Sequence, residues 1–173
     1  SIRSYAALAC IAIQSNQNEM HGGQSVPNFD YAMAQGVKKT YYKEYFKMMK
    51  TYLEVKFEIA EEKIESLITA MKDSIDFEFS MAEGDRLEEM LCGLSLSPLS
   101  QQQWKEAHRF SFKEAIKHTN THTYQSMEAL IHNLNTMNSR AGAQVPFSSI
   151  NYGTDTSLEG KMVTRNILEA TIA

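Results

Sequence analysis

Residues 143–152 read as a strand whose polar side chains, Gln144, Ser148 and Asn151, have either to face water or to line a cavity. Ser139 and Arg140 come just before it, past the end of an amphipathic helix, and Pro146 removes one ladder donor, which fits an edge, a bulge or a special position. Two further groups have the residue types for chemistry. Glu114, His118 and His122 are spaced by four and would share one helix face, as metal ligands do, but Thr119-Asn120-Thr121-His122-Thr123 is poor helix-forming sequence, and solvated or capping histidines are the plain alternative. His21-Gly22-Gly23-Gln24 either stops a helix or lets the backbone approach a ligand closely.

These groups need elements to position them. Ser1 caps a helix over about 2–20 in which Ile2, Tyr5, Leu8, Ala9, Ile11, Ala12 and Ile13 are apolar around most of the circumference, so it should be surrounded by other elements. The second helix spans about 31–72, kinked or broken near Gln35-Gly36. Its residues Phe46, Met49, Leu53, Phe57, Ala60, Ile64, Leu67 and Met71 form one continuous stripe, the mark of core or of a partner-helix surface. Ser80 with Glu83, Ser100 with Gln103 and Ser111 with Glu114 each fit the capping box that starts a helix. Trp104 anchors this subregion beside the Pro98 loop. A helix over about 111–138 leads to the polar strand, and Thr154 to Ser157 cap a last helix, 158–173, burying Met162, Val163, Ile167, Leu168 and Ile172.

At 173 residues, 43% hydrophobic and 22% charged, the chain suits one globular domain. A net charge of -4 and a pI near 5.7 leave no electrostatic footprint for nucleic acid. No apolar run is long enough to span a bilayer, and the apolar start lacks the basic residues of a signal peptide. Cys10 and Cys92 form no repeated metal spacing, which suggests a reducing compartment and no structural zinc site in this chain. With no initiating Met and helical patterns running at both ends, the chain reads as cut from something larger.

Two segments carry a resemblance. His21-Gly22-Gly23-Gln24-Ser25-Val26-Pro27-Asn28-Phe29-Asp30-Tyr31-Ala32-Met33-Ala34 and His132 to Asn151, with Gly142-x-Gln144-x-Pro146-Phe147 as the most transferable piece, resemble the anaerobic, glycyl-radical (class III) ribonucleoside-triphosphate reductases. The likeness covers most of the chain and is looser from about Thr40 to Thr123; Gln35 departs from the proline common in that family.

The resemblance implies a predominantly helical α/β fold. Residues 1–173 would be a partial catalytic domain, an internal segment of a ten-stranded α/β barrel with long outer helices. It implies an oxidoreductase of deoxyribonucleotide biosynthesis and DNA replication, cytoplasmic and allosteric. A glycyl radical generates a thiyl radical on a loop cysteine, and formate supplies the reducing equivalents. The partners implied are a ribonucleoside triphosphate, nucleotide effectors, an iron-sulfur activase using S-adenosylmethionine, and a second copy in a homodimer. The Met-Gly-Cys loop, the radical glycine and the zinc cysteines would lie elsewhere, so no catalytic residue, metal ligand or cofactor is assigned here and the isolated segment should be inactive. Gln144, Ser148 and Asn151 are placed near the substrate channel and Ser139 and Arg140 near its mouth, the alternative being that they satisfy backbone groups at the barrel rim. Lys38 and Lys39 could meet an effector phosphate, or stand as plain exposed lysines. The competing readings are a helical interaction module that uses the Phe46 to Met71 stripe, and a glycyl-radical enzyme of the formate-lyase type.

Overall fold

Ile2, Ala6, Cys10 and Ile13 are buried at steps of four, four and three, one stripe of a helix. The computed structural model describes residues 1–19, 23–75, 80–136 and 148–173. Its elements are α1 (Ile2–Glu19), β1 (Gln24–Val26), α2 (Phe29–Phe57), α3 (Glu61–Ser74), α4 (Gly84–Gly93), α5 (Gln101–Thr136), β2 (Ser148–Ile150) and α6 (Leu158–Ile172). The described residues are predominantly helical, with one pair of strands, in keeping with the α/β expectation. They divide into two compact units, Ser1–Thr40 with Asn120–Ala173, and Tyr41–Thr119. The helix stop at His21-Gly22, the end of the 111–138 helix and the first half of the polar strand lie outside the described residues.

In the first unit α1 is covered on one side only. Leu8 and Ile11 are 63% and 58% exposed, so the expectation of a helix surrounded on all sides is not met among the described residues. The buried side packs on α2 through Gly36, where an added Cβ would lie 3.0 Å from the Ile2 Cα and the Tyr5 ring. Gly36 therefore marks a close helix approach, and α2 runs through it without the expected break. The Ile2 N–H, one of the donors a helix start leaves open, is satisfied by Thr40 Oγ1 at 3.0 Å. β1 and β2 pair in parallel with Gln24 opposite Ser148, Ser25 opposite Ser149 and Val26 opposite Ile150. Parallel partners need a long crossover, and α2 through α5 lie between them in sequence. At α6 the Ser157 hydroxyl accepts from the Gly160 N–H at 3.1 Å. Val163 and Ile167 are buried, whereas Leu168 and Ile172, expected on the same side, are exposed.

In the second unit the core is Tyr41, Tyr45, Met49 and Leu53 of α2, Ile64, Leu67, Ile68 and Met71 of α3, Leu87 and Leu91 of α4, and Trp104 and Ala107 of α5. The single helix expected over 31–72 is two. Glu58 is left-handed, at φ 53°, and ends α2, and the Ile59 N–H turns back to the Leu53 carbonyl. Most of the stripe from Phe46 to Met71 is thus spent inside this unit, which removes it as a surface for a partner helix. Ser80 with Glu83 and Ser100 with Gln103 are reciprocal caps. Ser111 is not a cap: α5 starts ten residues earlier, and the Ser111 hydroxyl donates to the Ala107 carbonyl at 2.7 Å. The Trp104 indole N–H holds the Leu96 carbonyl at 3.0 Å. α5 also continues through Thr119 to Thr123, where burial of Thr119 and Thr123 overrides poor propensity.

Candidate functional site

β2 alternates as a strand covered on one face does. Ser148 and Ile150 are half-buried, while Ser149 and its register partner Ser25 are exposed. The Ser148 hydroxyl is buried and has no hydrogen-bond partner among the described residues. Such a hydroxyl costs about 1–3 kcal/mol. Asn151 prolongs the pairing past β2: its N–H donates to the Val26 carbonyl at 2.9 Å and its carbonyl accepts from the Phe29 N–H at 2.8 Å, leaving the side chain exposed. Ser148 and Asn151 thus follow one another along β2 and its extension but on opposite faces, one half-buried and one exposed; Ser139, Arg140 and Gln144 lie outside the described residues.

The turn after β2 is held by a carboxylate. Asp30, in the first turn of α2, is fully buried. Its Oδ2 accepts from the Gly153 and Asp155 N–H groups, both at 2.9 Å, and its Oδ1 lies 3.3 Å from Thr154 Oγ1. Thr154 Oγ1 is also 3.1 Å from Asn28 Oδ1, so one hydroxyl proton faces two acceptors. Burial pushes the Asp30 carboxyl up, but the amides of Asp155, Gly153 and Tyr31 and the Thr154 hydroxyl outweigh it and hold the group below its ordinary value. Gly153, at φ +96°, supplies the left-handed backbone at the centre of this turn. Asp155 in turn accepts from the Ser157 N–H at 2.8 Å, and an added Cβ at Gly160 would lie 2.5 Å from the Asp155 Cγ. In the sequence Asp30 is one acidic residue at a helix start, with nothing nearby to mark it. No linear spacing signals a partner more than a hundred residues away.

The remaining candidates have local partners. The Lys39 ammonium donates to the Tyr5 hydroxyl at 3.3 Å and lies over the Tyr5 ring, while Lys38 is half-buried. His118 sits between two carboxylates, Glu44 at 3.3 Å and Glu114 at 3.6 Å. His122 faces the Arg3 guanidinium at 3.5 Å, a poor neighbour for a metal ion. Among the described residues no three His, Cys, Asp or Glu side chains converge to hold a metal. A groove of about 190 Å³ runs between α1 and α5, lined by Ala6, Cys10, Ser126 and Leu130. Burial pushes the Cys10 thiol up against the opposing hydrogen bond with Asn133, and burial also raises Cys92, so both stay protonated thiols at neutral pH.

No helix among the described residues is long and apolar enough to cross a membrane. A comparison with curated proteins finds no match. The family model described as anaerobic ribonucleoside-triphosphate reductase matches residues 1–173, the whole length. On that match, and with the polar strand placed against a helical scaffold, the chain belongs to the anaerobic ribonucleoside-triphosphate reductase family.

Proposed function

We propose that residues 1–173 form part of the wall of a radical-enzyme barrel in a cytoplasmic, homodimeric reductase that converts ribonucleoside triphosphates to deoxyribonucleoside triphosphates, with formate as reductant. The family match over the whole chain carries this reading. The buried, open hydroxyl of Ser148 supports it, because a site that excludes water yet orients a polar nucleotide needs single hydroxyl and amide groups on an inward strand face.

On this reading β2 is a barrel strand. Ser148, Asn151 and Gln144 stand near the substrate and Ser139 and Arg140 near the mouth of the channel, while Lys38 and Lys39 meet an effector phosphate. The glycyl radical, when installed by the S-adenosylmethionine-dependent activase, supplies hydrogen abstraction at the ribose. The residues of this chain bind, orient and exclude water. Neither Cys10 nor Cys92 stands in a Met-Gly-Cys loop, and the described residues do not fit the family's zinc site, so radical and metal groups are assigned to other parts of the polypeptide.

The test is anaerobic turnover by the reductase polypeptide that contains this chain, after activation, with a ribonucleoside triphosphate and formate. Deoxyribonucleotide should form, and residues 1–173 alone should form none. A polypeptide that shows a glycyl-radical signal yet leaves every ribonucleotide unreduced would overturn the reading, and would favour a formate-lyase-type activity.

A further inference from the structure

We infer that Asp30 is a positioning residue for the polar strand: its buried carboxylate clamps the turn after β2 to the start of the helix that follows β1. The inference rests on the reading of β2 as a substrate-side strand.

An acidic residue in the first turn of a helix is ordinary, and at the surface it adds a few tenths of a kcal/mol by meeting the helix dipole. Asp30 differs in two respects. It is completely buried, and its hydrogen bonds to Gly153, Thr154 and Asp155 cross 123 to 125 positions of sequence. Across the fold it accepts from two turn amides, at 153 and 155, and from the Thr154 hydroxyl between them. Gly153, left-handed at φ +96°, sets the backbone from which these donors reach one carboxylate.

The strand pair gives the clamp something to hold. Among the described residues three register pairs join β1 to β2, and Asn151 prolongs the ladder. A two-stranded sheet of this size is marginal in isolation, so its register depends on what ties its ends. At one end both strands run into the clamp: β1 leads through Asn28 and Phe29 to Asp30, and β2 leads through Asn151 and Tyr152 to Gly153. Asp30 thereby fixes where Ser148 and Asn151 stand, without itself facing the substrate. A displacement of about 1 Å in groups that position a substrate can cost about a hundredfold in rate.

The test uses the activated reductase polypeptide that contains this chain, as wild type, Asp30→Asn and Asp30→Ala. Asparagine is near-isosteric. Its oxygen can accept from the Gly153 and Asp155 amides and its amide can donate to Thr154, so it keeps the geometry with weaker, neutral bonds. Alanine leaves both amides without an acceptor. Asp30→Ala should raise the KM for the ribonucleotide and lower kcat/KM about tenfold or more, at unchanged glycyl-radical content per polypeptide. Hydrogen exchange from Ser148 to Asp155 should quicken in parallel. Asp30→Asn should fall between wild type and Asp30→Ala in both readouts. Unchanged exchange over 148–155 in Asp30→Ala, or a loss of turnover that only follows the folded fraction and leaves KM alone, would overturn the clamp. If Asp30→Ala does not fold, Asp30→Asn decides: wild-type exchange together with wild-type KM refutes it. A wild-type polypeptide without ribonucleotide turnover would sink the functional reading, and the exchange comparison would still judge the clamp.

Discussion

The phenol oxygen of Tyr45 lies 2.8 Å from Nδ1 of His108, and both side chains are buried. His108 also bonds the Gly84 backbone, so the neutral ring accepts at Nδ1 and donates from its other nitrogen. Its stacking partner is Phe112, with ring centroids 5.7 Å apart. This pair links α2 to α5, and the Gly84 contact brings in α4.

The pair makes the second unit sensitive to acid. Burial lowers the His108 pKa from 6.5, with Arg109 acting in the same direction, against Glu88, the Gly84 carbonyl and Asp85, which push it up. The folded state keeps the ring neutral while the unfolded state takes up a proton near 6.5. The stabilisation is therefore intact above that pH and is lost as the pH falls below it toward the folded value. Thermal midpoints should drop from about pH 7 to 5, and His108→Gln should flatten that slope whatever it does to the midpoint itself. Tyr45→Phe removes the donor to Nδ1 and should cost about 1–3 kcal/mol in urea unfolding at pH 7.5.

Gly84 should tolerate no side chain. A Cβ there would lie 2.5 Å from Phe112 Cε2, and that ring is wedged against His108 and Tyr41. Gly84→Ala should destabilise by about 1–3 kcal/mol through overpacking. Phe112→Leu in the same chain should recover part of the loss. Additive effects of the two substitutions would show that the contact is not the cause.

Core positions were legible in the sequence wherever the pattern repeats at helical spacing: Ile2 and Ile13 in α1, Val163 and Ile167 in α6. So were two of three capping boxes and the Trp104 anchor. The break at Glu58 was hidden because the apolar spacing passes through it undisturbed, and a left-handed residue that is not glycine leaves no trace in composition. Ser111 misled for the opposite reason, since four residues that fit a cap also fit a helix interior. β2 falls within the strand read from the sequence, but the role of Asp30 depends on bringing residue 30 to residues 153–155, which is a property of the fold alone.

Ser148 separates the substrate-side reading from a rim reading. Its hydroxyl has no partner among the described residues, so Ser148→Ala deletes a buried polar group and no hydrogen bond seen here. The stability of the chain should stay within about 1 kcal/mol of wild type, or rise. In the activated reductase the same change should raise the KM for the ribonucleotide. A fall in stability with kinetics unchanged would assign Ser148 to backbone support at the rim.

The exposed side of α1 bears on the barrel-wall reading. Leu8 and Ile11 stand one turn apart at 63% and 58% exposure, with Ala7 and Ala12 exposed beside them. Burying two such side chains is worth about 1.5–3 kcal/mol each. If residues 1–173 are a piece of a larger wall, that face is covered in the whole reductase and bare in the isolated chain. The isolated chain should then bind an apolar-surface dye and associate in light scattering, and Leu8→Lys with Ile11→Lys should restore a monomer. The same pair of substitutions should lower the stability of the whole reductase, where the lysines would be forced out of water. A wild-type isolated chain that is monodisperse, monomeric and silent to the dye would remove the support this face gives to the barrel-wall reading.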